Sequence, residues 1–161
     1  MNKLTPIDME AYDRVAASDC FVCRIVVGKP LIPGVQIIEQ DDFSITFLSQ
    51  FPTQEGYTLV CPRRHVERFE ADLTDEEWSR LQLQVLRVSR VIAKAMPSKR
   101  IYTASWGSPE RNSHAHIHIC PCPLDASPEE QQIAAMDYRQ GYISLDKERM
   151  AAIAKNIKAF L

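Results

Sequence analysis

The sequence lacks a strong excess of either charge, and it lacks a long hydrophobic run. Its 161 residues carry 19 Lys and Arg against 21 Asp and Glu, a net charge of −2, so there is no basic field of the kind that binds DNA or RNA. No apolar stretch approaches the roughly 20 residues that span a membrane. The opening segment MNKLTPIDMEAYDR has no apolar signal-peptide core. We therefore expect a cytoplasmic protein with no membrane or nucleic-acid partner.

The sequence also lacks the even cysteine count of a closed disulfide framework. Its five cysteines are Cys20, Cys23, Cys61, Cys120 and Cys122, and an odd number fits such a framework poorly. In a reducing compartment, cysteines bind metals or catalyse reactions more often than they form bridges. Hydrophobic residues make up 45% of the chain and charged residues 25%, an ordinary balance for one domain of this length. We expect a single domain whose core needs no disulfide.

Hydrophobic periodicity predicts an α+β chain. Helices are predicted at 7–17, 20–27, 127–138 and 146–160. Strands are predicted at 35–39, 43–48, 57–61, 101–106 and 114–120, the first two as a hairpin. Thr74 and Glu77 form a capping box that opens a long amphipathic helix, and Pro97 ends it. The predicted architecture is an antiparallel sheet of about five strands, with the long helix packed on it and extra C-terminal helices.

The segment His114-Ala115-His116-Ile117-His118-Ile119 contains three of the four histidines. Side chains alternate faces along a strand, so the three imidazoles are predicted to share one face while the residues between them point into the core. A polar strand face or an adventitious metal-binding strip is the alternative. Strict alternation on an otherwise apolar strand favours a functional site over these alternatives. A neutral imidazole can attack phosphorus, and neighbouring imidazoles can orient it, bind phosphate oxygens or protonate the leaving group.

The segment Cys20-Phe21-Val22-Cys23 places two thiols where both can bind one ion. Zinc completes its tetrahedral shell with ligands from elsewhere in the sequence. The candidates are His65 and one of the three alternating histidines. A redox pair is the alternative, although no thioredoxin-like βαβ pattern surrounds these cysteines. The other three cysteines are predicted to be buried small apolar residues.

Together these segments resemble the histidine-triad (HIT) superfamily from about residue 20 to residue 121. They follow the expected order: CFVCRIVVG, a hairpin, FLSQFPTQEGYTLVCPRRHVERF, a helix beginning LTDEE, and HAHIHICP. The resemblance implies a single HIT-like domain over 1–161, with its core at about 20–121 and a C-terminal helical extension at about 125–161. The extension itself resembles nothing assignable, and it could cover the pocket or a dimer edge.

The resemblance also implies roles for individual residues. His116 would be the catalytic nucleophile, and His118 would assist at the phosphate. The ligands of a structural zinc ion would be Cys20, Cys23, His65 and His114, as in zinc-containing members. The pocket for the base would be lined by Phe21, Val22, Ile25 and Phe47. A homodimer built partly through the long helix and the fourth strand is implied as well.

Two positions depart from the family pattern. Ser49 stands where many relatives carry an acidic residue that holds the ribose hydroxyls, which implies weaker ribose recognition or a different substrate. Relatives often have a Gly-Gln-Ser-type segment before the triad that donates a hydrogen bond, and the segment 108–113 stands in its place here. Asn112 or Ser113 could supply that hydrogen bond to phosphate, and Arg111 could neutralise charge, although each could also be an ordinary solvated loop residue.

These residues support three hypotheses about function. The leading one is a nucleotide hydrolase or nucleotidyl transferase acting on phosphorus of a nucleoside phosphoramidate, dinucleoside polyphosphate or similar nucleotide conjugate, through a covalent histidine intermediate. A second is a nucleotide-binding regulatory or scaffolding protein with vestigial catalysis. A third is a zinc-dependent hydrolase with the metal at the chemistry, which four protein ligands disfavour because they leave no open coordination position. No organic cofactor is expected.

Overall fold

The computed structural model describes residues 4–161, apart from the side chains at positions 15, 16 and 18. The N-terminal half contains α1 (Met9–Ser18), α2 (Phe21–Val26), β1 (Ile37–Gln40), β2 (Ser44–Leu48), β3 (Thr58–Pro62) and the one-turn helix α3 (Phe69–Asp72). The C-terminal half contains α4 (Asp75–Ala95), β4 (Arg100–Ala104), β5 (Ile117–Cys122), α5 (Ile133–Met136) and α6 (Lys147–Lys158). No helix in this described range is long and apolar enough to cross a membrane.

The five strands form one antiparallel sheet in the order β1-β2-β3-β5-β4. This confirms the predicted α+β class and the hairpin of β1 and β2. In the register, Phe47 pairs with Leu59 and Leu59 pairs with His118. Because paired residues lie on the same face of a sheet, these three side chains share one face. That face is the one on which the candidate site lies.

The long helix α4 covers the opposite face. Thr74 accepts a hydrogen bond from the Glu77 N–H, and the Glu77 carboxylate accepts one from the Thr74 N–H, so the predicted capping box is present. The buried stripe of α4 consists of Leu81, Val85, Val88, Val91, Ile92 and Ala95, and α6 joins the same core. Each fully buried aliphatic side chain contributes about 1.5–3 kcal/mol, so this core holds β3 and β5 firmly behind the site.

Two smaller apolar clusters cover the site face. The first packs Val22 and Ile25 of α2 against Phe47 and Leu59. The second packs α5 against Tyr57 and other residues near the C-terminal end of β5. Three cysteines, Cys61, Cys120 and Cys122, are fully buried, as predicted.

The prediction of a strand running from 114 to 120 is wrong at both ends. β5 begins at Ile117, and His114 lies in a bend before it. The Ala115 N–H bonds to the Val66 carbonyl in the segment after β3, and β3 pairs with β5 only as far as Ile117. At the other end, β5 continues through Pro121, which pairs only with β4. A missing N–H is tolerated where a strand has a free side.

The prediction of one helix at 127–138 is also wrong. This segment divides into a 3-10 turn at Pro128–Glu130, the short α5, and a second 3-10 turn at Tyr138–Gln140. Gln132 has φ +59°, a left-handed conformation that ends a right-handed helical run. The predicted helices at 7–17, 20–27 and 146–160 correspond to α1, α2 and α6.

Candidate active site and metal centre

Four side chains from three separate segments meet beside the C-terminal end of β3. Cys20 caps the N-terminus of α2 and Cys23 lies in its first turn, while His65 follows β3 and His114 precedes β5. The Cys20 Sγ lies 3.3 Å from Nδ1 of His114, and the Cys23 Sγ lies 3.4 Å from Nδ1 of His65. All four ligand atoms lie within 4.8 Å of one another. These separations suit one tetrahedral ion with bonds of about 2.0–2.3 Å.

Each histidine of this cluster is oriented by a hydrogen bond from its other ring nitrogen. Nε2 of His114 donates to the Pro62 carbonyl at 2.9 Å, and Nε2 of His65 donates to the Glu67 carboxylate at 3.2 Å. Both bonds leave the Nδ1 lone pair directed toward the thiols. Metal-binding imidazoles characteristically have such a partner behind them, so these residues fit a zinc ion.

The protonation of the cluster depends on whether a cation is bound. Burial, together with the neighbouring Cys20 thiol, raises the pKa of Cys23 to about 11. Burial lowers the pKa of His114 to about 4, so this imidazole is neutral at pH 7 and its lone pair is available. A divalent cation would reverse the first effect, because it stabilises a thiolate.

His116 and His118 form a second pair, with ring centres 4.7 Å apart. Nδ1 of His116 donates to the His114 carbonyl at 2.6 Å, which leaves Nε2 as the unprotonated nitrogen of the neutral ring. Only 4% of His116 is exposed, and its ring meets Phe21 edge-on with centres 5.6 Å apart. The three imidazoles of the triad therefore do not all face one site: Nδ1 of His114 faces the thiols, whereas the other two rings adjoin a cavity.

The two ring nitrogens of His118 are buried without a polar partner. Neither of its ring nitrogens has a hydrogen bond to any residue that the structure describes, and its ring packs edge-on against Tyr57. Burial lowers the pKa of both His116 and His118 below the usual value, so both rings are neutral at pH 7. An unpaired buried polar group costs about 1–3 kcal/mol, and a bound ligand with a suitable donor or acceptor would offset that cost.

A cavity of about 890 Å³ adjoins the two imidazoles. Five of the seven residues predicted to bind substrate line it: Phe21, Ile25, Phe47, Ser49 and Asn112. The other two do not. Val22 is fully buried in the cluster under α2, and the Ser113 hydroxyl donates to the Glu67 carboxylate beside the metal cluster.

The loop between β4 and β5 passes close to the ring of His116. Gly107 has φ +132°, and a Cβ at this position would lie 2.8 Å from the Asn112 carbonyl oxygen and 3.6 Å from Cε1 of His116. Ser105 donates to the His116 carbonyl at 2.9 Å. Gly107 does not stand out in the sequence, because the close approach depends on where the loop meets the ring.

A group of four aromatic side chains that forms one wall of the cavity was not predicted from the sequence. Tyr12 of α1 lies 5.3 Å from Phe51 and 5.7 Å from Tyr138, and Phe51 lies 5.3 Å from Tyr142, measured between ring centres. All four rings line the cavity. The C-terminal extension thus covers the pocket, one of the two placements considered for it. No local pattern marks these residues as a group, since they come from three segments that are far apart in the sequence.

Comparison with known proteins agrees with this geometry. Residues 31–123 match the HIT domain family. Bis(5'-adenosyl)-triphosphatase of Dictyostelium discoideum is 33% identical over 97 residues, which cover 58% of this chain and 64% of that protein.

Two solved structures are similar in fold. A hypothetical histidine triad nucleotide-binding protein from Sulfolobus tokodaii has a TM-score of 0.70 at 20% identity, covering 88% of this chain and 91% of the other. A Zn-bound histidine triad family protein from Mycobacterium smegmatis has a TM-score of 0.67 at 20% identity, covering 89% and 94%.

The five-stranded sheet and the adjoining imidazoles define a protein of the histidine-triad fold. The match to the family extends over more than half of the chain, so the chain belongs to the HIT domain family. This confirms the resemblance seen in the sequence. Cys20, Cys23, α1 and the whole C-terminal extension lie outside the matched range.

Proposed function

We propose that this chain is a nucleotide hydrolase or nucleotidyl transferase. Its substrate would be a nucleoside phosphoramidate, a dinucleoside polyphosphate or a similar nucleotide conjugate. Family membership and the relative named as a bis(5'-adenosyl)-triphosphatase support this proposal. The observation that carries it is the orientation of His116, whose Nδ1 is bound to a backbone carbonyl while its ring lines the cavity.

In the proposed reaction, Nε2 of His116 attacks the phosphorus atom. The new N–P bond forms as the bond to the leaving group breaks, and the leaving group takes the electron pair of that bond and a proton from solvent, which the attacking water or acceptor returns in the second step. The His114 carbonyl, which accepts the Nδ1 hydrogen, stabilises the positive charge that develops on the ring. Water or another acceptor then attacks the same phosphorus, breaks the N–P bond and restores His116.

Neighbouring residues would position the substrate. His118, with its unpaired nitrogens, would bond to a phosphate oxygen, while the apolar side chains Phe21, Ile25 and Phe47 would hold the base. The Asn112 amide donates one hydrogen to the Tyr12 hydroxyl and has a second hydrogen for a phosphate oxygen. Arg111 forms an ion pair with Asp13, which reduces the charge it can offer.

Intact-protein mass spectrometry tests the nucleophile. The protein is mixed briefly with AMP ethylamide, a phosphoramidate, and quenched in alkaline denaturant to preserve an N–P bond. We expect the mass of one nucleotidyl group on His116 in the wild type and no adduct in His116→Ala. Turnover should fall by roughly 1,000-fold or more, because removing a nucleophile has effects of at least this size.

The His118→Asn variant is the matched control, since it removes the neighbouring imidazole and keeps the nucleophile. We expect slower turnover with the adduct still present. Full activity in a folded His116→Ala variant would contradict the proposal. Nucleotide binding by the wild type without any turnover would instead favour the regulatory or scaffolding function.

We also propose that Cys20, Cys23, His65 and His114 bind a structural zinc ion. The donor set, the separations and the hydrogen bonds behind both histidines support this, as does the Zn-bound relative from Mycobacterium smegmatis. Four protein ligands fill the coordination shell. The ion would therefore tie α2 to the segments that follow β3 and precede β5, and His116 would carry out the chemistry.

A homodimer is the third proposal. β4 is an edge strand of the sheet, and Leu83 and Leu86 on α4 are 66% and 46% exposed. A strand edge with no partner in the described chain and a helix surface with exposed leucines are both surfaces that a second copy can cover. The cytoplasmic location and the absence of membrane and nucleic-acid partners stay predictions.

A further inference from the structure

The cavity has two walls that lie on either side of the imidazole pair. Phe21 contacts His116 on one side. His118 contacts Tyr57 on the other side, and Tyr57 packs with Met136 of α5. A ligand whose phosphorus lies at His116 can therefore extend in two directions, toward the proposed base pocket or toward the C-terminal extension.

The second wall, hereafter the aromatic wall, consists of Tyr12, Phe51, Tyr138 and Tyr142. Three of these four side chains come from α1 and the C-terminal extension, outside the range that matches the family. All four are partly buried and line the cavity, so part of each ring is free to contact a ligand. Planar groups stack on such rings whatever their hydrogen-bonding pattern.

Specific contacts hold the aromatic wall in place. Thr5 and Tyr142 exchange two backbone hydrogen bonds of 2.7 and 2.9 Å, which join the N-terminal segment to the extension. The Asn112 side chain donates to the Tyr12 hydroxyl, and Arg111 pairs with Asp13 of α1. Because Asn112 also lies against Gly107 beside His116, the wall is tied to the loop next to the nucleophile.

The charges around the cavity restrict the kind of phosphate that suits it. Within residues 4–161, the cationic side chains that line the cavity are Arg111 and Arg139, and each is paired with a carboxylate, from Asp13 and Asp137 respectively. The buried imidazoles are neutral. A chain of three phosphates would bring several negative charges with little compensation, whereas a single phosphodiester or phosphoramidate brings one.

We infer that the aromatic wall is a leaving-group subsite, and that the preferred substrate is a nucleoside monophosphate joined to a planar aromatic leaving group. The cavity of about 890 Å³ lies near the upper end of the roughly 300–1,000 Å³ usual for small-molecule pockets, which leaves room beyond one nucleotide. That the bound group departs in the reaction rests on the proposed function, but binding of an aromatic group at this wall does not.

Two amides of AMP test the subsite, one with ethylamine and one with 2-(2-naphthyl)ethylamine. Both have the same phosphorus–nitrogen bond and differ in the aromatic group. We expect the naphthyl compound to have a kcat/KM at least about 10-fold higher, the size expected when one planar group stacks on aromatic side chains. Tyr138→Ala should bring this ratio close to one. Tyr138→Phe should keep it, and so should Phe160→Ala, an exposed aromatic residue that does not line the cavity.

Binding to the His116→Ala variant separates the subsite from the chemistry. We expect the naphthyl amide to bind at least about 10-fold more tightly than the ethyl amide by calorimetry. If neither amide is turned over but this difference remains, the proposed function fails and the subsite stands. If both are turned over equally and bind equally, the subsite is overturned and the proposed function stands.

Diadenosine triphosphate tests the charge argument, since it offers a second planar base on a longer and more highly charged phosphate chain. We expect its kcat/KM without added divalent cations to be at least about 10-fold lower than that of the naphthyl amide, because no unpaired cationic side chain among the described residues lining the cavity compensates its extra charge. An equal or higher value would overturn the preference for a single phosphate.

Discussion

Three identical side chains of the triad differ in chemistry because their hydrogen-bonded partners differ. His114 donates to a carbonyl of β3 and presents Nδ1 to two thiols. His116 donates from Nδ1 to the His114 carbonyl and keeps Nε2 unprotonated, while the ring nitrogens of His118 have no hydrogen-bonding partner in the described range. The partner of one ring nitrogen determines what the other can do.

Gly107 shows a second constraint at the scale of single residues. Its φ of +132° and its closeness to the Asn112 carbonyl both exclude a side chain. Gly34 also has a positive φ, +93°, but nothing lies within 4 Å of a Cβ built there. A comparison of the two glycines therefore distinguishes backbone strain alone, at Gly34, from strain combined with crowding beside His116, at Gly107.

We predict that Gly107→Ala is more harmful than Gly34→Ala. The Gly34 variant should lose about 1 kcal/mol of unfolding free energy from backbone strain, with activity unchanged. The Gly107 variant should lose roughly 2–4 kcal/mol and most of its kcat, because the loop must move against His116. Urea unfolding and turnover of AMP ethylamide measure both effects. Equal losses in the two variants would show that crowding is not the cause.

At the scale of elements, α4 has a buried surface and an outer surface that both carry apolar side chains. Its buried stripe packs on the sheet behind the site. Its outer surface carries Leu83 and Leu86, and the neighbouring strand β4 has one edge without a partner in the described chain. An amphipathic helix that covers a sheet does not need leucine on its solvent side, so these residues favour the proposed homodimer.

We predict that the wild type has about twice the chain mass of 18.4 kDa in light scattering. The double variant Leu83→Glu, Leu86→Glu should be monomeric, because it would place four carboxylates in a two-fold interface. Leu124→Glu, at an exposed leucine in a loop, should remain dimeric. A monomeric wild type at micromolar concentration would contradict this interface.

At the scale of the whole molecule, the cluster of Cys20, Cys23, His65 and His114 joins α2 to the segments that follow β3 and precede β5. α2 is six residues long, and a helix this short has little stability of its own. It is held by apolar packing on β2 and β3 and by the two cysteines that approach His65 and His114. Because α2 also supplies Phe21 and Ile25 to the cavity, loss of the ion would loosen the proposed base pocket.

We predict one zinc per chain, and a lower Tm after chelation. Binding to the folded state alone stabilises it by about 4 kcal/mol when free zinc is 1,000 times its Kd. Cys20→Ala should abolish zinc binding and lower the Tm similarly. Cys122→Ala, at a buried cysteine outside the cluster, should keep its zinc. Chelation that stops turnover while leaving the Tm unchanged would instead place the metal at the chemistry.

Much of this molecule follows from local sequence. The capping box at Thr74, the hairpin of β1 and β2, and the amphipathic stripe of α4 all depend on residues close together in the chain, so spacing alone predicts them. The CxxC pair and the alternating histidines could likewise be singled out by spacing, and the family resemblance assigned them to a metal cluster and a nucleophile.

Tertiary structure decided the rest. The start of β5 depends on a hydrogen bond between Ala115 and Val66, and it is this bend that sends His114 toward the thiols. The aromatic wall joins Tyr12 to Phe51 and Tyr138, which are far apart in the sequence. Such contacts form only when the fold brings distant segments together, and local sequence patterns do not predict which segments will meet.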